Sequence, residues 1–490
     1  MDDQLRRGRG RALYEEIRAR VLDGTYGAGA RLPSTRACAE ERGLSRTTVS
    51  AVHEQLAAEG FIETRRGASS RVAAGAMSAT EVRRGGRGDR QNPSQARLSA
   101  FGERARNLAL PGAPAPAGHI DFRYGALAGA DFPTLAWMKA SRCVERERPP
   151  RLEYSDPRGD PGLRRALHAY LARARGISCH PDQLVIVNGS QQALDLCARV
   201  LLDPGDLAIV ENPGYRMAHH VFGAVGARLL GIPVDQWGLK TGLLARVRNA
   251  ALAYVTPTHQ FPLGAFLPMP RRQALLNWAA QTGAWVLEDD YDSEYRYSVR
   301  PEPTLQSLDA RGTVIYIGTF SKTLSPVLRL GYMIVPPQLI HSIAAAKQLA
   351  DRHAASHAQR TLALLLEDGS YERHLRRIRR LQEARRTALL EALEGHLRGR
   401  VTVAGASSGL HLVTWIHDVP GDREAELVAE AERERVRVYP LGPLYLPRRG
   451  ADIGRKSAGL VLGYALLNPE RIESGVRRLA ASIRRVTARS

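Results

Sequence analysis

Residues 318–332 read Gly-Thr-Phe-Ser-Lys-Thr-Leu-Ser-Pro-Val-Leu-Arg-Leu-Gly-Tyr, with a single lysine near the middle. The chain holds 70 Lys plus Arg, yet its lysines are only Lys139, Lys240, Lys322, Lys347 and Lys456. In so arginine-rich a chain, a lysine that matters should do something arginine cannot. Arginine stays protonated, whereas a desolvated lysine amine can lose its proton and attack an aldehyde to form a Schiff base. Lys322 follows the apolar run Val314-Ile315-Tyr316-Ile317 and a Gly-Thr-Phe-Ser loop, which places it at the mouth of a buried strand. A lone Ser-Lys pair is more often a surface loop, but Arg329 follows seven residues on. Its guanidinium can clamp a phosphate bidentately. Amine and clamp together fit an aldehyde cofactor that carries a phosphate, namely pyridoxal phosphate.

Working outward, short apolar runs alternate with helical stretches: 184–187, 207–210, 252–255, 285–288, 314–317 and 330–335. Continuous apolar strands separated by helices predict a mostly parallel sheet covered on both faces, with ligands gathered where loops leave the strand ends. After the first run comes Asn188-Gly189-Ser190-Gln191, a glycine turn into a helix whose amides, with Ser190 and Gln191, can hold a phosphate. After the second comes Glu211-Asn212-Pro213-Gly214-Tyr215, which offers the Tyr215 ring to a flat ligand. After Trp285–Glu288 comes Asp289-Asp290-Tyr291. A carboxylate at a buried strand end is costly unless paired, and a protonated pyridine nitrogen would pair Asp289. Asp290 is expected to be the solvated neighbour, and Tyr291 could donate its hydroxyl to the ring's 3' oxygen. Each of these features has an ordinary structural reading by itself; their order on successive strands of one sheet is what carries weight.

The chain has 490 residues and a net charge of +20, which favours contact with polyanions. Residues 1–75 carry only +3 of that charge and residues 76–118 carry +4. No apolar run approaches the roughly 20 residues that span a bilayer, and no signal-peptide core is present, so a cytoplasmic location is expected. Cys38, Cys143, Cys179 and Cys197 lack metal-ligand spacing, and no metal is expected.

At the amino terminus, Leu13, Tyr14, Ile17 and Val21 recur at helical spacing before Gly24. Ser34 and Gly43 bracket a second helix, and Ser45 caps a third whose inward positions are Val49, Val52 and Leu56. Phe61–Val72 predicts a basic hairpin around Arg66-Gly67. That is a winged helix-turn-helix. Ser45, Arg46, Thr47 and Thr48 would stand at the start of a recognition helix, with Arg36, Arg65, Arg66 and Arg71 adding backbone contacts to double-stranded operator DNA. The stretch 75–118, rich in Gly, Ala, Pro, Ser and Arg, predicts a flexible tether with one docking segment near 98–110.

The run LPSTRACAEERGLSRTTVSAVHEQLAAEGFIETRRG closely resembles the GntR-type winged helix, and residues 119–490 resemble the fold-type I aminotransferases, with a smaller part after about residue 385. Together they resemble the MocR family of transcriptional regulators; the runs ENPGY and THQFPLG (258–264) are typical of it. The resemblance implies a multidomain chain: a mainly α winged helix at 1–74, a linker at 75–118 and an α/β domain at 119–490. It implies that Lys322 forms the imine with the cofactor, Asp289 pairs with the pyridine nitrogen, Tyr291 meets the 3' oxygen and Tyr215 stacks on the ring. Ser190, Gln191, Ser321 and Arg329 would hold the phosphate. His259 and Gln260 occupy the loop where aminotransferases place an asparagine. A head-to-tail, domain-swapped homodimer is also implied, with Tyr154 near the partner's site.

One position departs from the aminotransferase pattern. The arginine that usually holds the substrate α-carboxylate falls in a run matched here by Leu460-Val461-Leu462-Gly463-Tyr464-Ala465, with Val461 in its place. An isopropyl group cannot replace a fork of donors, so ordinary amino-acid transamination is disfavoured unless Arg216 or another nearby residue takes over. This favours a sensor of pyridoxal phosphate, an amine or an amino acid over an active aminotransferase with an appended DNA-binding domain, and the complete Lys322, Asp289 and Arg329 set disfavours a purely structural remnant.

Overall fold

The computed structural model describes residues 2–64, 69–75, 97–106, 108, 114–148, 153–297, 303–447 and 456–489. It divides into two compact units, 1–97 and 98–490.

In the first unit, helices α1 (Asp2–Leu22), α2 (Thr35–Arg42) and α3 (Arg46–Ala58) enclose Leu13, Ile17, Val21, Val49, Val52 and Leu56. The capping residues explain the boundaries. Ser34 Oγ accepts from the Ala37 amide, and Gly43 stops α2 at φ 60°, where a β-carbon would be strained. Ser45 Oγ accepts from the Thr48 amide at 3.1 Å and starts α3. Strands β1 (Ile62–Glu63) and β2 (Arg71–Val72) pair antiparallel, with Ile62 opposite Val72. Buried His53 on α3 hydrogen-bonds Ser70 Oγ at 3.0 Å, tying the hairpin to that helix.

The second unit opens with a helix, Ala100–Arg106, in the part of the linker where a docking segment is expected; Arg104 donates to the Ala224 carbonyl at 2.8 Å and docks it on the helix Arg216–Val225. A short strand β3 (Ile120–Asp121) follows. The central sheet contains β4 (Leu184–Val187), β5 (Leu207–Asn212), β6 (Arg228–Asp235), β7 (Gly238–Leu239), β8 (Ala250–Val255), β9 (Trp285–Asp290), β10 (Val314–Thr319) and β11 (Gly331–Ile334). Their order is β4-β11-β10-β9-β8-β5-β6-β7. From β10 to β6 every pair is parallel, and β11 runs antiparallel to both of its neighbours, so β4 points the same way as β10. β4 and β10 are buried throughout, and β9 is buried at every position after Trp285, as strands covered on both faces must be. The parallel strands therefore deliver their carboxyl-terminal loops to one edge of the sheet.

A 28-residue helix, Ser370–Leu397, leads into a smaller α/β part. Here β12 (Val401–Ala404), β13 (His411–Ile416), β15 (Tyr439–Pro440) and β16 (Ala458–Gly463) form an antiparallel sheet of order β12-β13-β16-β15, while β14 (Val436–Arg437) pairs with β3. Its core joins Leu389, Leu393, Leu412, Leu460, Leu479 and Ile483. No helix among the described residues is long and apolar enough to cross a membrane.

Candidate functional site

The strand β9 and the loop after it bring Asp289 and Asp292 close enough to act on the Lys322 amine. This lysine stands three residues beyond β10, and its Nζ donates to the Gly125 carbonyl at 2.6 Å. Gly125 has φ +83°, and a β-carbon there would lie 3.1 Å from the amine. Burial holds the Lys322 pKa below the ordinary lysine value, although Asp292 and Asp289 oppose the shift by favouring the ammonium form. The amine thus sits in surroundings that make its neutral, nucleophilic form more accessible than on the surface.

Asp289, at the end of β9, is paired in register with Ile317 of β10. One oxygen accepts from Tyr254 Oη at 2.7 Å, while Oδ1 is buried without any partner among the described residues. Burial pushes its pKa up to about 6, with the Tyr254 hydrogen bond pulling the other way. An orphaned carboxylate oxygen in a buried site calls for a cationic donor.

Asp290 is not the solvated neighbour expected. It is 5% exposed, forms an ion pair with Arg175 and accepts from the Tyr316 hydroxyl. The alternation of a strand explains it: successive side chains point to opposite faces, and both faces of β9 are covered. Glu288 is buried too and accepts from the Leu305 and Gln306 amides at 2.8 and 2.9 Å.

After β4, the helix Ser190–Leu201 begins at Gly189 with no side-chain cap. Arg329 Nη2 donates to the Asn188 carbonyl at 2.6 Å, which brings the arginine from beyond β10 onto this turn. Gly189 has φ +80° and ψ 167°, and a β-carbon on it would come within 2.7 Å of Arg329 Nη2. The turn is fixed from below: Asp351 accepts from Asn188 Nδ2, Gln192 Nε2 and the buried Lys347, all at 2.7 to 2.8 Å. Ser190 and Gln191 therefore begin an open helix start that Arg329 reaches, an arrangement suited to an anion, while the Ser321 amide donates to Thr319 Oγ1 at 3.1 Å. We expect Gly189→Ala to add about 1 to 3 kcal/mol of backbone strain in a region glycine alone adopts readily. It should weaken binding of pyridoxal phosphate and leave the affinity for phosphate-free pyridoxal nearly unchanged; equal losses for both would place the damage elsewhere.

Tyr215, one residue before the helix Arg216–Val225, meets Phe261 edge-on with ring centroids 5.8 Å apart, and Phe261 also faces Tyr291 at 6.2 Å. Sequence reasoning named His259 and Gln260 in this loop and missed Phe261. Gln260 turns inward, donating to Glu211 and to the Pro213 carbonyl. His259 Nδ1 lies 2.9 Å from Asp292 and 3.0 Å from the Tyr291 hydroxyl. Asp292 and Gly125 were likewise missed. Asp292 had a signal, as a third carboxylate within four residues. Gly125 had none, because its carbonyl matters only through the fold. Val461 is fully buried, and its cluster contains Phe261, Val413, Leu441 and Leu444, with Tyr124, Tyr215 and Tyr291 packed against it.

The other candidate surface is the start of α3. Arg46 is exposed and has no ion pair or hydrogen bond among the described residues, while Ser45 Oγ contacts the Thr47 and Thr48 hydroxyls at 2.8 and 2.7 Å. Arg36 lies along Glu40 on α2, and Arg71 donates to the Gly29 carbonyl of its own unit. Arg65 and Arg66 lie outside the described residues. Tyr154 is 72% exposed, with the Arg352 guanidinium 4.8 Å from its ring centroid.

Comparison with known proteins gives two family matches. Residues 119–450 match aminotransferase class I and II, and residues 9–72 match the gntR family of bacterial regulatory proteins. The chain is 35% identical over 96% of its length to the probable rhizopine catabolism regulatory protein MocR of Rhizobium meliloti, covering 93% of that protein. It is 31% identical over 84% of its length to the HTH-type pyridoxine biosynthesis transcriptional regulator PdxR of Corynebacterium glutamicum, covering 83% of it. Among solved structures it is similar to LysN, an α-aminoadipate aminotransferase of Thermus thermophilus crystallised with N-(5'-phosphopyridoxyl)-L-leucine. That match has 32% identity and a TM-score of 0.68, covering 76% of this chain and 94% of that one.

Proposed function

Because the chain belongs to the MocR family of transcriptional regulators, which join a GntR-type DNA-binding winged helix to an aminotransferase-type domain, we propose that it senses pyridoxal phosphate, or an amine or amino acid reacting there, at Lys322. The observation that carries this reading is the orphaned Asp289 Oδ1 together with the half-buried Lys322 amine, whose charged form its surroundings disfavour, and an open helix start after Gly189. When bound, pyridoxal phosphate supplies an electrophilic aldehyde and an electron-withdrawing ring.

The chain's own residues do the rest. Lys322 would offer the amine to the aldehyde, its surroundings favouring the neutral form. Asp289 accepts from the protonated ring nitrogen and thereby satisfies its own free oxygen. Ser190, Gln191, Ser321 and Arg329 hold the phosphate, Tyr215 and Phe261 confine the ring, and Tyr291 meets the 3' oxygen. Val461 brings no donor, so a plain α-amino acid lacks the usual carboxylate fork and efficient transamination is disfavoured. The reading includes a head-to-tail homodimer, supported by the exposed Tyr154. Regulation then requires that the ligand bind two arrangements of that dimer with different affinity.

Saturable uptake of one pyridoxal phosphate per chain, followed by absorbance, tests this proposed site, a chamber around Lys322, Asp289 and the Gly189 turn. Non-saturating uptake would contradict it. At the other surface, Arg46→Ala should weaken binding to promoter DNA by about 1 to 3 kcal/mol if the side chain reads a base. Fluorescence anisotropy with labelled promoter fragments measures this, and an unchanged affinity would remove Arg46 from the DNA-reading surface.

A further inference from the structure

Beside the chamber, one buried group goes unused by this account: His259, set between Asp292 and Tyr291. We infer that Asp292 and His259 are positioning residues that act through Tyr291, aiming its O–H bond away from the imidazole and into the chamber, toward the cofactor's 3' oxygen. The last step rests on the reading that the chamber holds pyridoxal phosphate; the direction of the bond does not.

His259 Nδ1 faces two oxygens at once, Asp292 Oδ2 at 2.9 Å and Tyr291 Oη at 3.0 Å. A carboxylate only accepts, so the hydrogen must be on Nδ1. With that N–H shared between Asp292 and the tyrosine oxygen, Tyr291 accepts from the ring. Its own hydrogen must therefore point elsewhere. At the opposite edge of the imidazole, Nε2 is buried with no partner among the described residues, which an unprotonated nitrogen tolerates better than an N–H. The ring is thus neutral, with its proton on Nδ1.

The surroundings are shaped to this ring. His259 is 2% exposed and Asp292 is 1% exposed. Gly409 has φ +82°, and a β-carbon there would lie 2.0 Å from His259 Cε1 and 2.7 Å from Asp292 Oδ2. Gly264 has φ +69°, and its β-carbon would lie 2.9 Å from His259 Nε2. Nothing larger than hydrogen fits at either place. The remaining titratable neighbours come from other elements. His411 of β13, pushed down to about 4 by burial, donates Nε2–H to the Pro262 carbonyl and is neutral. Asp289, Glu211 and Tyr464 face Tyr291 electrostatically, and Asp292 and Asp289 act on Lys322.

A loop pin between 259 and 292 would show the same contacts, so the test must read protons. In the cofactor-free full chain labelled with nitrogen-15 histidine, and with the His259 signal identified by its loss in His259→Gln, the ring should be the neutral Nδ1–H tautomer. An Nε2–H tautomer would overturn the inference whether or not the cofactor binds. In the loaded chain, Asp292→Asn and His259→Gln should each move the pH midpoint of the bound cofactor's visible absorbance by about one pH unit, a tenfold change in proton affinity. The same substitutions made in Tyr291→Phe should move it no further. An unmoved midpoint with a lowered melting temperature would reduce the pair to a pin, and an equal shift without the tyrosine hydroxyl would show that it does not act through Tyr291. Failure of the proposed chamber itself would appear separately, as absent absorbance in the unaltered chain.

Discussion

With Lys322 replaced by alanine, addition of pyridoxal phosphate should produce no protein-bound visible absorbance, and borohydride should fix no phosphopyridoxyl group on the peptide that contains position 322. The effect is all or none because no other amine can take over. Lys139, Lys240 and Lys456 are exposed on other parts of the surface, where water solvates the ammonium form. Lys347 is buried, but Asp351 accepts from it at 2.8 Å with both oxygens and holds it beside the Asn188 turn. Lys322→Arg should fail in the same way, since a guanidinium keeps its proton. Peptide mapping by mass spectrometry after reduction checks the outcome. A labelled peptide elsewhere, or a retained band, would assign the capture to a different amine.

Asp289→Asn should weaken pyridoxal phosphate binding by about 3 to 5 kcal/mol, roughly two to four orders of magnitude, because a buried cation loses its charged partner. The pH dependence should change with it. In the cofactor-free chain the Asp289 carboxyl is raised from its ordinary 3.8 to about 6. Its contribution to folding is therefore complete below about 3.8 and is lost as pH rises through about 6, where an unpartnered charge must be buried. Cofactor binding needs the charged form, so affinity should fall as pH drops below about 6 and the carboxyl takes up its proton. Absorbance titrations between about pH 5 and 8 measure this. The asparagine variant should lack that step; a wild-type affinity, or a step that survives in the variant, would detach Asp289 from the ring nitrogen.

How much of this was legible in the chain depends on the range of the interaction. Ser34, Gly43 and Ser45 act within three or four residues, so the helix boundaries of the winged helix follow from local chemistry. The central strands could be read because apolar runs bounded by glycine and polar turns are local patterns. β6 was not read: Arg228–Asp235 is an outer strand, half-exposed and interrupted by Gly231 and Pro233, which dilute the signal. At the chamber, the loops after the strands could be placed, but not the partners that come from other elements. The hold of Gly125 on Lys322 spans almost 200 positions in sequence, and that of Asp351 on the Asn188 turn about 160. Asp290 was misjudged for a related reason: adjacent carboxylates look equivalent until the sheet assigns them opposite faces, and Arg175, which pairs with Asp290, lies on a distant helix. Phe261 was passed over for its polar neighbours, although burial makes the aromatic ring the group that closes on Tyr215 and Tyr291.

On the proposed function, occupancy at Lys322 alters the grip of the winged helix on DNA. The most direct measurement is the affinity of the full chain for its promoter DNA, by anisotropy, without ligand, with saturating pyridoxal phosphate, and with that cofactor plus a panel of amines and amino acids. Lys322→Ala is carried through the same series. A sensor should change its DNA affinity severalfold with at least one of these ligands, and Lys322→Ala should abolish that change while binding DNA as the ligand-free chain does. Identical DNA affinity with every ligand that demonstrably binds the chamber would contradict the account.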